Sequence, residues 1–189
     1  MTAFLTVDIE ATSFEGCKSI EEMEVIEIGL VYIQNSCPKD EFATLVRPVR
    51  TEVTHYCTNL TGITPKMAAV APLFSEAMQN IGAWLKSLEE QPTSWCSWGL
   101  YDRNHLALER QSQNVSDPLP TAHINAKKVF QKVVMPSARQ VGLQKAISVS
   151  GIEPALPTHR ALPDAKNVAQ LILKHELEDY FHRGVTIEG

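Results

Sequence analysis

The feature that most constrains this chain is a pair of carboxylates at the end of an apolar strand near its N-terminus. Phe4, Leu5 and Val7 favour a β-strand, and Asp8 and Glu10 follow at alternate positions. Because side chains alternate across a strand, the two carboxylates point to the same side, where each raises the other's pKa unless a positive charge lies between them. Two interpretations fit this segment. Either a divalent metal ion supplies the missing charge, or an edge strand shows both carboxylates to water.

Length and composition predict one compact domain over residues 1–189. The chain has 189 residues, and its apolar share of 44% is ordinary for a globular protein with a buried core. The N-terminus has neither a basic start nor a long apolar run, so we expect no signal peptide and no membrane span. The four cysteines lie far apart without nearby histidine ligands, which predicts reduced thiols in a cytoplasmic protein.

The formal net charge of −5 is unevenly distributed along the chain. Residues 1–120 contain 8 Lys and Arg against 16 Asp and Glu, whereas residues 121–189 contain 9 against 6. The basic second half is compatible with binding a polyanion such as nucleic acid. It does not by itself indicate such binding, because charged segments are usually solvated surface.

The first part of the chain is predicted to form three consecutive strands. β-branched residues over Glu24–Ile33 indicate a second strand, and a third is predicted over Glu41–Val46 after a turn at Asn35–Lys39. Such short links predict an antiparallel meander. Glu27 lies inside the second strand, where a carboxylate without a partner is costly. It either supports the acids of the first strand or faces solvent.

Beyond residue 54 the pattern alternates between helices and short strands. Gly62 is predicted to end one helix, and Thr64 to cap the next with Pro65 at its first position. The remaining predicted elements, in chain order, are a helix over Pro72–Glu90, a strand over Thr93–Trp98, a helix over Asn104–Ser112, a strand over His123–Ala126, and helices over Lys127–Val134, Arg139–Ser150 and Val168–Leu177. This order predicts an α/β protein.

Two further acids lie where one element gives way to the next. Asp102 falls between a strand and a helix, and Asp164 falls in a first helical turn opened by Pro163. Taken alone, Asp102 is explained by helix capping, although the ends of strands in an α/β sheet are also where catalytic groups gather. Asp164 alone is explained by interaction with the helix dipole. His159 lies five residues before Asp164, on the loop that leads to it. This is the position expected of a proton-transfer group that works beside a carboxylate. If the four acids converge, two divalent ions would neutralise them, and such ion pairs are known to promote in-line attack on phosphorus.

The sequence resembles the DEDDh 3′-to-5′ exonucleases, which have an RNase H-like fold, and within them the Eri/KapD-like group. The resemblance rests on motifs that run in the family's order from residue 7 to residue 167: Val-Asp8-Ile-Glu10-Ala-Thr12, Glu24-Val-Ile-Glu27-Ile, Leu60-Thr-Gly-Ile-Thr64, Tyr101-Asp102 and His159-Arg-Ala-Leu-Pro-Asp164-Ala-Lys-Asn167. Ala11 after Glu10 and the complete Leu-Thr-Gly-Ile-Thr favour the Eri/KapD-like group over proofreading subunits. Pro163 stands where relatives usually have an acidic or small residue, a mild change because proline suits a first helical turn.

The resemblance implies an RNase H-like mixed sheet, an antiparallel three-strand meander plus parallel strands, flanked by helices. It also implies that the chain removes nucleoside 5′-monophosphates from the free 3′ end of single-stranded RNA or DNA, RNA being favoured, with two divalent cations, Mg²⁺ or Mn²⁺. In this scheme Asp8, Glu10, Asp102 and Asp164 are the metal ligands, and His159 is the general base.

The resemblance further implies contacts to the terminal nucleotide and the phosphate track, by Ala11, Thr12, Leu60, Ile63, Arg103 and Arg160, with Lys127 and Lys128 as further basic candidates. The oligomeric state, monomer or homodimer, stays open. One alternative keeps the fold without the chemistry, as a nuclease-like nucleic-acid-binding or regulatory module. Another is a metal-dependent phosphoesterase that acts on a nucleotide or a very short oligomer.

Overall fold

A five-stranded mixed sheet with the strand order β3-β2-β1-β4-β5 forms the centre of the protein. The computed structural model describes residues 3–17 and 19–182. The strands are β1 Ala3–Ala11, β2 Val25–Gln34, β3 Cys37–Leu45, β4 Ser94–Ser97 and β5 Ala122–Asn125. Strand β2 pairs antiparallel with both β1 and β3, whereas β4 pairs parallel with both β1 and β5. The predicted meander and the predicted parallel strands are both confirmed.

Helices lie on both faces of this sheet. Their bounds are α1 His55–Thr61, α2 Pro65–Ala69, α3 Phe74–Ser87, α4 Tyr101–Gln113, α5 Ala126–Val134, α6 Leu143–Ser150, α7 Ala161–Lys174 and α8 Asp179–His182. As predicted, Gly62 ends α1 in the left-handed region at φ 75°, and the Thr64 hydroxyl accepts the Met67 N–H at 3.2 Å to cap α2.

Several element boundaries differ from the sequence prediction for local reasons. Helix α6 begins at Leu143 rather than Arg139, because Gly142 has an extended backbone and serves as the N-cap. Strand β3 begins at Cys37, inside the predicted turn, because Asn35 and Ser36 both have positive φ and close a two-residue hairpin. Helix α4 begins three residues early, at Tyr101, which places Asp102 within its first turn.

Alternation along β1 divides its side chains between two cores. The odd-numbered residues pack with α3 on one face, in a cluster that includes Leu5, Val7, Ile9, Phe74, Met78 and Ile81. On the other face Phe4 packs with α5, α6 and α7, in a cluster that includes Phe130, Ile147, Val168 and Ile172. Asp8 and Glu10 share the face of Phe4, so they lie on the side of the sheet that α7 covers.

The lengths of the helices and the state of the cysteines relate to the expectations about membrane spans and reduced thiols. None of the helices within residues 3–17 and 19–182 is both long and apolar enough to cross a bilayer. All four cysteines are free thiols. One of them has a structural contact near the acidic strand, because the Cys57 Sγ lies 3.6 Å from the carbonyl oxygen of Ala11.

Candidate active site

The end of β1 presents Asp8 and Glu10 on the face covered by α7. In the antiparallel register with β2, Asp8 lies opposite Gly29 and Glu10 lies opposite Glu27. Both acidic side chains are only partly buried, although the strand around them is buried. Three carboxylates therefore project from two adjacent strands into one small region.

Gly29 allows the start of α7 to lie directly on the sheet. A Cβ atom at Gly29 would overlap the backbone of Ala161 and Leu162, so a side chain at this position would push α7 away. Farther along the same helix, the Thr6 hydroxyl donates to the carbonyl of Ala165 at 2.8 Å. These two contacts hold the first turns of α7, and Asp164 with them, over the acids of β1.

Asp102 reaches the same region from the other side of β1. The pairing of β1 with β4 covers Phe4 to Thr6, and beyond it the Ile9 N–H donates to Oδ1 of Asp102 at 3.2 Å. The carboxylate thus accepts a backbone N–H that would otherwise pair with a carbonyl of a neighbouring strand. Asp102 is 5% exposed, which is unusual for an acid whose only role is to begin a helix.

Asp164 is oriented by hydrogen bonds from two neighbouring segments. Its Oδ2 accepts the backbone N–H of His159 at 3.0 Å, and its Oδ1 accepts from Nδ2 of Asn167 at 3.2 Å. Asn167 is fully buried and also accepts the Ala155 N–H at 2.7 Å, so one amide ties the acid to the preceding loop. These hydrogen bonds therefore fix the orientation of the Asp164 carboxylate.

Two of the predicted acids and the predicted histidine lie close together. Glu10, His159 and Asp164 each offer a possible ligand atom, and these atoms lie within 4.8 Å of one another. His159 is exposed and has φ 58°, so the loop presents its ring from the solvent side of the cluster. Asp8 and Asp102 belong to the same electrostatic group, because, in addition to burial, the Asp102 carboxylate raises the pKa of both Asp8 and Glu10, and Glu10 and Asp164 also raise the pKa of Asp8.

Burial raises the pKa of all four acids, and neighbouring carboxylates add to the shift at Asp8, Glu10 and Asp102. Burial, followed by the carboxylates of Asp164 and Glu27, raises the pKa of Glu10 to about 8. Burial raises the pKa of Asp102 to about 6 and raises that of Asp164 as well. Burial, followed by the Asp102 carboxylate, raises the pKa of Asp8 well above its usual value. A bound cation is the partner that would reverse these shifts.

The donor set fits a hard divalent cation. Carboxylate oxygens are the ligands preferred by Mg²⁺ and Mn²⁺, and four carboxylates supply more negative charge than one such ion would balance. The guanidinium of Arg160 also lies near, but its Nε and Nη2 donate to Glu27 rather than to the cluster. Asp8, Glu10, Asp102 and Asp164 are thus the carboxylates of this region that could hold such a cation, and Glu10 and Asp164 belong to the group whose ligand atoms lie within 4.8 Å of one another.

The residues predicted to contact the terminal nucleotide fall into buried and exposed groups. Leu60 is 41% exposed, whereas Ile63 is fully buried against Ile26 and Cys57. Ile63 is therefore not accessible to a base in this structure, and its contact with a base stays a prediction. Its side chain supports the loop after α1, and Leu60 is left as the accessible apolar group.

Ala11 and Thr12 are also buried, and the Thr12 hydroxyl has internal partners. It accepts the Glu24 N–H at 2.8 Å and lies 2.9 Å from the Thr51 hydroxyl. Glu24 is itself buried and accepts N–H groups from residues 49–51, which anchors that loop behind the end of β1. Contact of these residues with a nucleotide stays a prediction.

The predicted basic contacts differ in their surroundings. Arg103 is exposed, and its Nε and Nη2 both donate to the side chain of Asn104. Arg160, predicted on the phosphate track, instead forms a two-point ion pair with Glu27, with 2.6 Å between Nη2 and Oε1. Glu27 therefore lies on the face of the sheet that α7 covers, beside the acids of β1, and does not face solvent.

Sequence reasoning assigned no role to three residues that shape the site. Tyr101 has a 44% exposed ring beside Asp102, and burial together with the Asp102 and Glu10 carboxylates raises the pKa of its hydroxyl. Asn167 holds Asp164, and Gly29 admits the backbone of α7. Gly29 had a readable signal, since an isolated glycine in an apolar strand often marks the close approach of another backbone.

Comparison with known proteins gives the class of this fold and site. A family model described as the RNase T exonuclease matches residues 5–172. The nuclease domain of 3′hExo, a DEDDh family member bound to rAMP, superposes with a TM-score of 0.82 at 25% identity, covering 94% of this chain and 92% of that domain. The fold is therefore the RNase H-like fold of the DEDDh exonucleases, as predicted.

The chain belongs to the RNase T exonuclease family, and its relatives place it in the Eri-like group of DEDDh enzymes. It is 26% identical over 178 residues to the 3′-5′ exoribonuclease 1 of Rattus norvegicus, covering 89% of this chain and 51% of the relative. It is 26% identical over 202 residues to the 3′-5′ exonuclease eri1 of Schizosaccharomyces pombe, covering 90% of this chain and 66% of the relative. The chain thus spans about half the length of the rat relative.

Proposed function

We propose that this protein is a metal-dependent 3′-to-5′ exonuclease that releases nucleoside 5′-monophosphates from single-stranded ends. The observation that carries the proposal is that Glu10 of β1, His159 before α7 and Asp164 in its first turn have possible ligand atoms within 4.8 Å of one another. In addition to burial, the charges of the nearby Asp102, Glu10 and Asp164 carboxylates raise the pKa of Asp8. The raised pKa of Glu10, about 8, supports a site built to bind cations.

Each group of the site has a proposed role. Asp8, Glu10, Asp102 and Asp164 would hold two divalent cations, Mg²⁺ or Mn²⁺. When bound, such ions lower the pKa of water and neutralise charge on a phosphodiester. His159 accepts the proton of the attacking water, since its ring lies at the solvent side of Glu10 and Asp164.

Two exposed side chains, one apolar and one aromatic, favour an unpaired terminal base. Leu60 and Tyr101 are both exposed, and apolar or aromatic contact with a base is tolerant of sequence. The exposed Arg103, next to Asp102 on α4, lies where it can contact the backbone of the strand that enters the site.

RNA is the proposed preferred substrate. Two relatives support this proposal. The rat relative is named an exoribonuclease, and the nuclease domain of 3′hExo was solved with rAMP, a nucleotide that carries a 2′-hydroxyl. The cytoplasmic location expected from composition stays a prediction, as does the choice between monomer and homodimer.

The test is a product assay on matched single strands of RNA and DNA. Each strand carries a label at its 5′ end and is incubated with Mg²⁺, with Mn²⁺ or with a chelator, and the released mononucleotides are identified by chromatography. We expect stepwise shortening from the 3′ end, 5′-monophosphate products, faster release from RNA, and no reaction in the chelator.

Three outcomes would contradict the proposal. Internal cleavage would indicate an endonuclease, and reaction with a dinucleotide but not with a long strand would indicate a phosphoesterase for short oligomers. Binding of single strands without any shortening in either metal would indicate a module that has lost the chemistry.

A further inference from the structure

Arg160 and Glu27 form a two-point contact beside the acid cluster. Nε of Arg160 donates to Oε2 of Glu27 at 2.9 Å, and Nη2 donates to Oε1 at 2.6 Å. The same carboxylate accepts the backbone N–H of Ala161 at 2.9 Å, and the Glu27 side chain is 5% exposed. Donors from two consecutive residues thus converge on one buried carboxylate.

This contact joins the two halves of the candidate site. Glu27 lies on β2 directly opposite Glu10 of β1. Arg160 immediately follows His159 and serves as the N-cap residue of α7, whose first turn contains Asp164. The ion pair therefore links β2, the direct neighbour of the strand that carries Asp8 and Glu10, to the segment that carries His159 and Asp164.

The shape of the side chain matters here as well as its charge. Like charges directly opposite one another in a sheet are destabilising, and the guanidinium offsets the repulsion between Glu10 and Glu27. A lysine would supply the same charge from a single flexible ammonium. An arginine fork donates along two parallel directions and so fixes the orientation of the chain that bears it.

We propose that Glu27 and Arg160 are positioning residues that hold His159 and the first turn of α7 in register with the acids of β1. Neither touches the substrate; both act through the placement of His159 and Asp164. This role replaces the interpretation of Arg160 as a phosphate contact. It rests on the proposed function only for its kinetic consequences, because the placement itself is measurable without activity.

Four variants separate a positioning role from direct phosphate binding and from charge neutralisation alone. Arg160→Lys keeps the charge and loses the fork, Glu27→Gln keeps a carbonyl acceptor and loses the charge, and the third carries both substitutions. Lys166→Gln is the matched control, because Lys166 of the same helix forms an exposed ion pair with Glu41 of β3 at 2.7 Å. Each protein is first shown to be folded by circular dichroism and thermal unfolding.

Steady-state kinetics on a single-stranded oligonucleotide give the first readout. Small displacements in an active site cost up to about 100-fold in rate, so we expect kcat to fall at least about tenfold in both single variants, with KM within about twofold of the parent. The doubly substituted protein should lose no more than the worse single variant, because both changes break one contact. Lys166→Gln should match the parent.

The outcomes that overturn the proposal are specific. A raised KM with unchanged kcat in Arg160→Lys alone would make Arg160 a phosphate contact. Parent-like kinetics in Arg160→Lys would show that only the charge is needed. Losses that multiply in the doubly substituted protein would show that the two residues act independently.

Histidine-ring NMR gives a readout that needs no catalysis. In the metal-free protein the His159 ring signal is assigned by its loss in His159→Gln, and we expect it to shift or broaden in Glu27→Gln and Arg160→Lys but not in Lys166→Gln. An unmoved signal in both single variants would refute the positioning role. If the parent protein released no nucleotide, the proposed function would fail, while this spectrum would still decide the role of the ion pair.

Discussion

The backbone N–H of His159 donates to Oδ2 of Asp164 at 3.0 Å, so the proposed proton acceptor and a proposed metal ligand share a direct hydrogen bond. His159 adopts φ 58°, a left-handed conformation that favours residues without a Cβ, and the hydrogen bond helps to maintain it. The ring is thereby presented to the carboxylates of Glu10 and Asp164. This hydrogen bond thus fixes the position of the loop residue His159 relative to the helical residue Asp164.

His159→Ala tests the proton-transfer role. General bases typically contribute about 10²- to 10⁴-fold in rate, so we expect kcat to fall by that range. The affinity for a single strand, measured by fluorescence anisotropy in Ca²⁺, should change by less than about threefold, since removing a ring that moves a proton need not weaken binding. Parent-like turnover would contradict the role.

Asp8→Asn tests the link between the charge cluster and catalysis. The change removes a negative charge that burial and Asp102 make costly, so nucleotide release should disappear while the metal-free protein becomes more stable. A gain of about 1 kcal/mol would raise the thermal midpoint by about 2–4 °C. The control is Asp179→Asn at the exposed start of α8, which should change neither quantity. A destabilised but active Asp8→Asn protein would argue against a metal site.

The raised pKa values predict how stability depends on pH. The pKa of Glu10 rises from 4.5 to about 8 and that of Asp102 from 3.8 to about 6, so the folded protein binds more protons than the unfolded chain between these values. In chelator, the free energy of unfolding should therefore fall as pH rises from about 4 to about 8, by at most about 1.4 kcal/mol per pH unit for each group. Urea unfolding at several pH values measures the slope.

The added cation supplies the control for this pH dependence. Metal competes with protons for the same carboxylates, so the stabilisation by Mn²⁺ should grow as pH rises. Glu10→Gln should flatten the slope measured in chelator. A metal-free protein that gained stability over the same pH range would show that these acids are not mutually repelling in the folded state.

Gly29→Ala tests the close approach of α7 to the sheet. The added methyl group overlaps the backbone of Ala161 and Leu162, and overpacking of this kind costs about 1–3 kcal/mol of stability. Because the displaced turn bears Asp164, we expect activity to fall more than the loss of folded protein explains. The control is Gly142→Ala, where an added Cβ meets nothing within 4 Å and φ is −65°. Equal behaviour of the two variants would refute the packing role of Gly29.

Leu60→Ala and Ile63→Ala separate an accessible apolar contact from a structural one. Leu60 is exposed, so its truncation should raise KM with little change in the thermal midpoint. Ile63 is fully buried, and replacing it should cost about 2–5 kcal/mol of stability. Thermal unfolding and kinetics on the same oligonucleotide measure both effects. A stable Ile63→Ala protein with a selectively raised KM would indicate that Ile63 does contact the terminal base.

Much of the architecture was readable from local sequence patterns. The alternation in Val7 to Glu10 placed both carboxylates on one face, and Gly62 with Thr64 marked the break between α1 and α2. Strand alternation and helix capping depend on residues a few positions apart, so these predictions needed no tertiary information. The matched motifs then indicated which distant acids belong together.

The exact environment of several residues was beyond such reasoning. Ile63 and Leu60 are three positions apart, and no local pattern distinguishes the buried one from the exposed one. The helix predicted from Arg139 begins at Leu143, because the extended backbone of Gly142 starts it late. Packing against the rest of the protein decided the burial of Ile63, whereas the backbone conformation at Gly142 decided the start of α6.

The sequence by itself determined the strand that carries Asp8 and Glu10, the order of the elements and the family of the fold. The tertiary structure decided that Glu27 faces inward and that Arg160 pairs with it. The physical reason is that a strand's alternation is set by adjacent residues, whereas the partner of Glu27 lies 133 positions away. That distance is closed only when α7 lies on the sheet at Gly29.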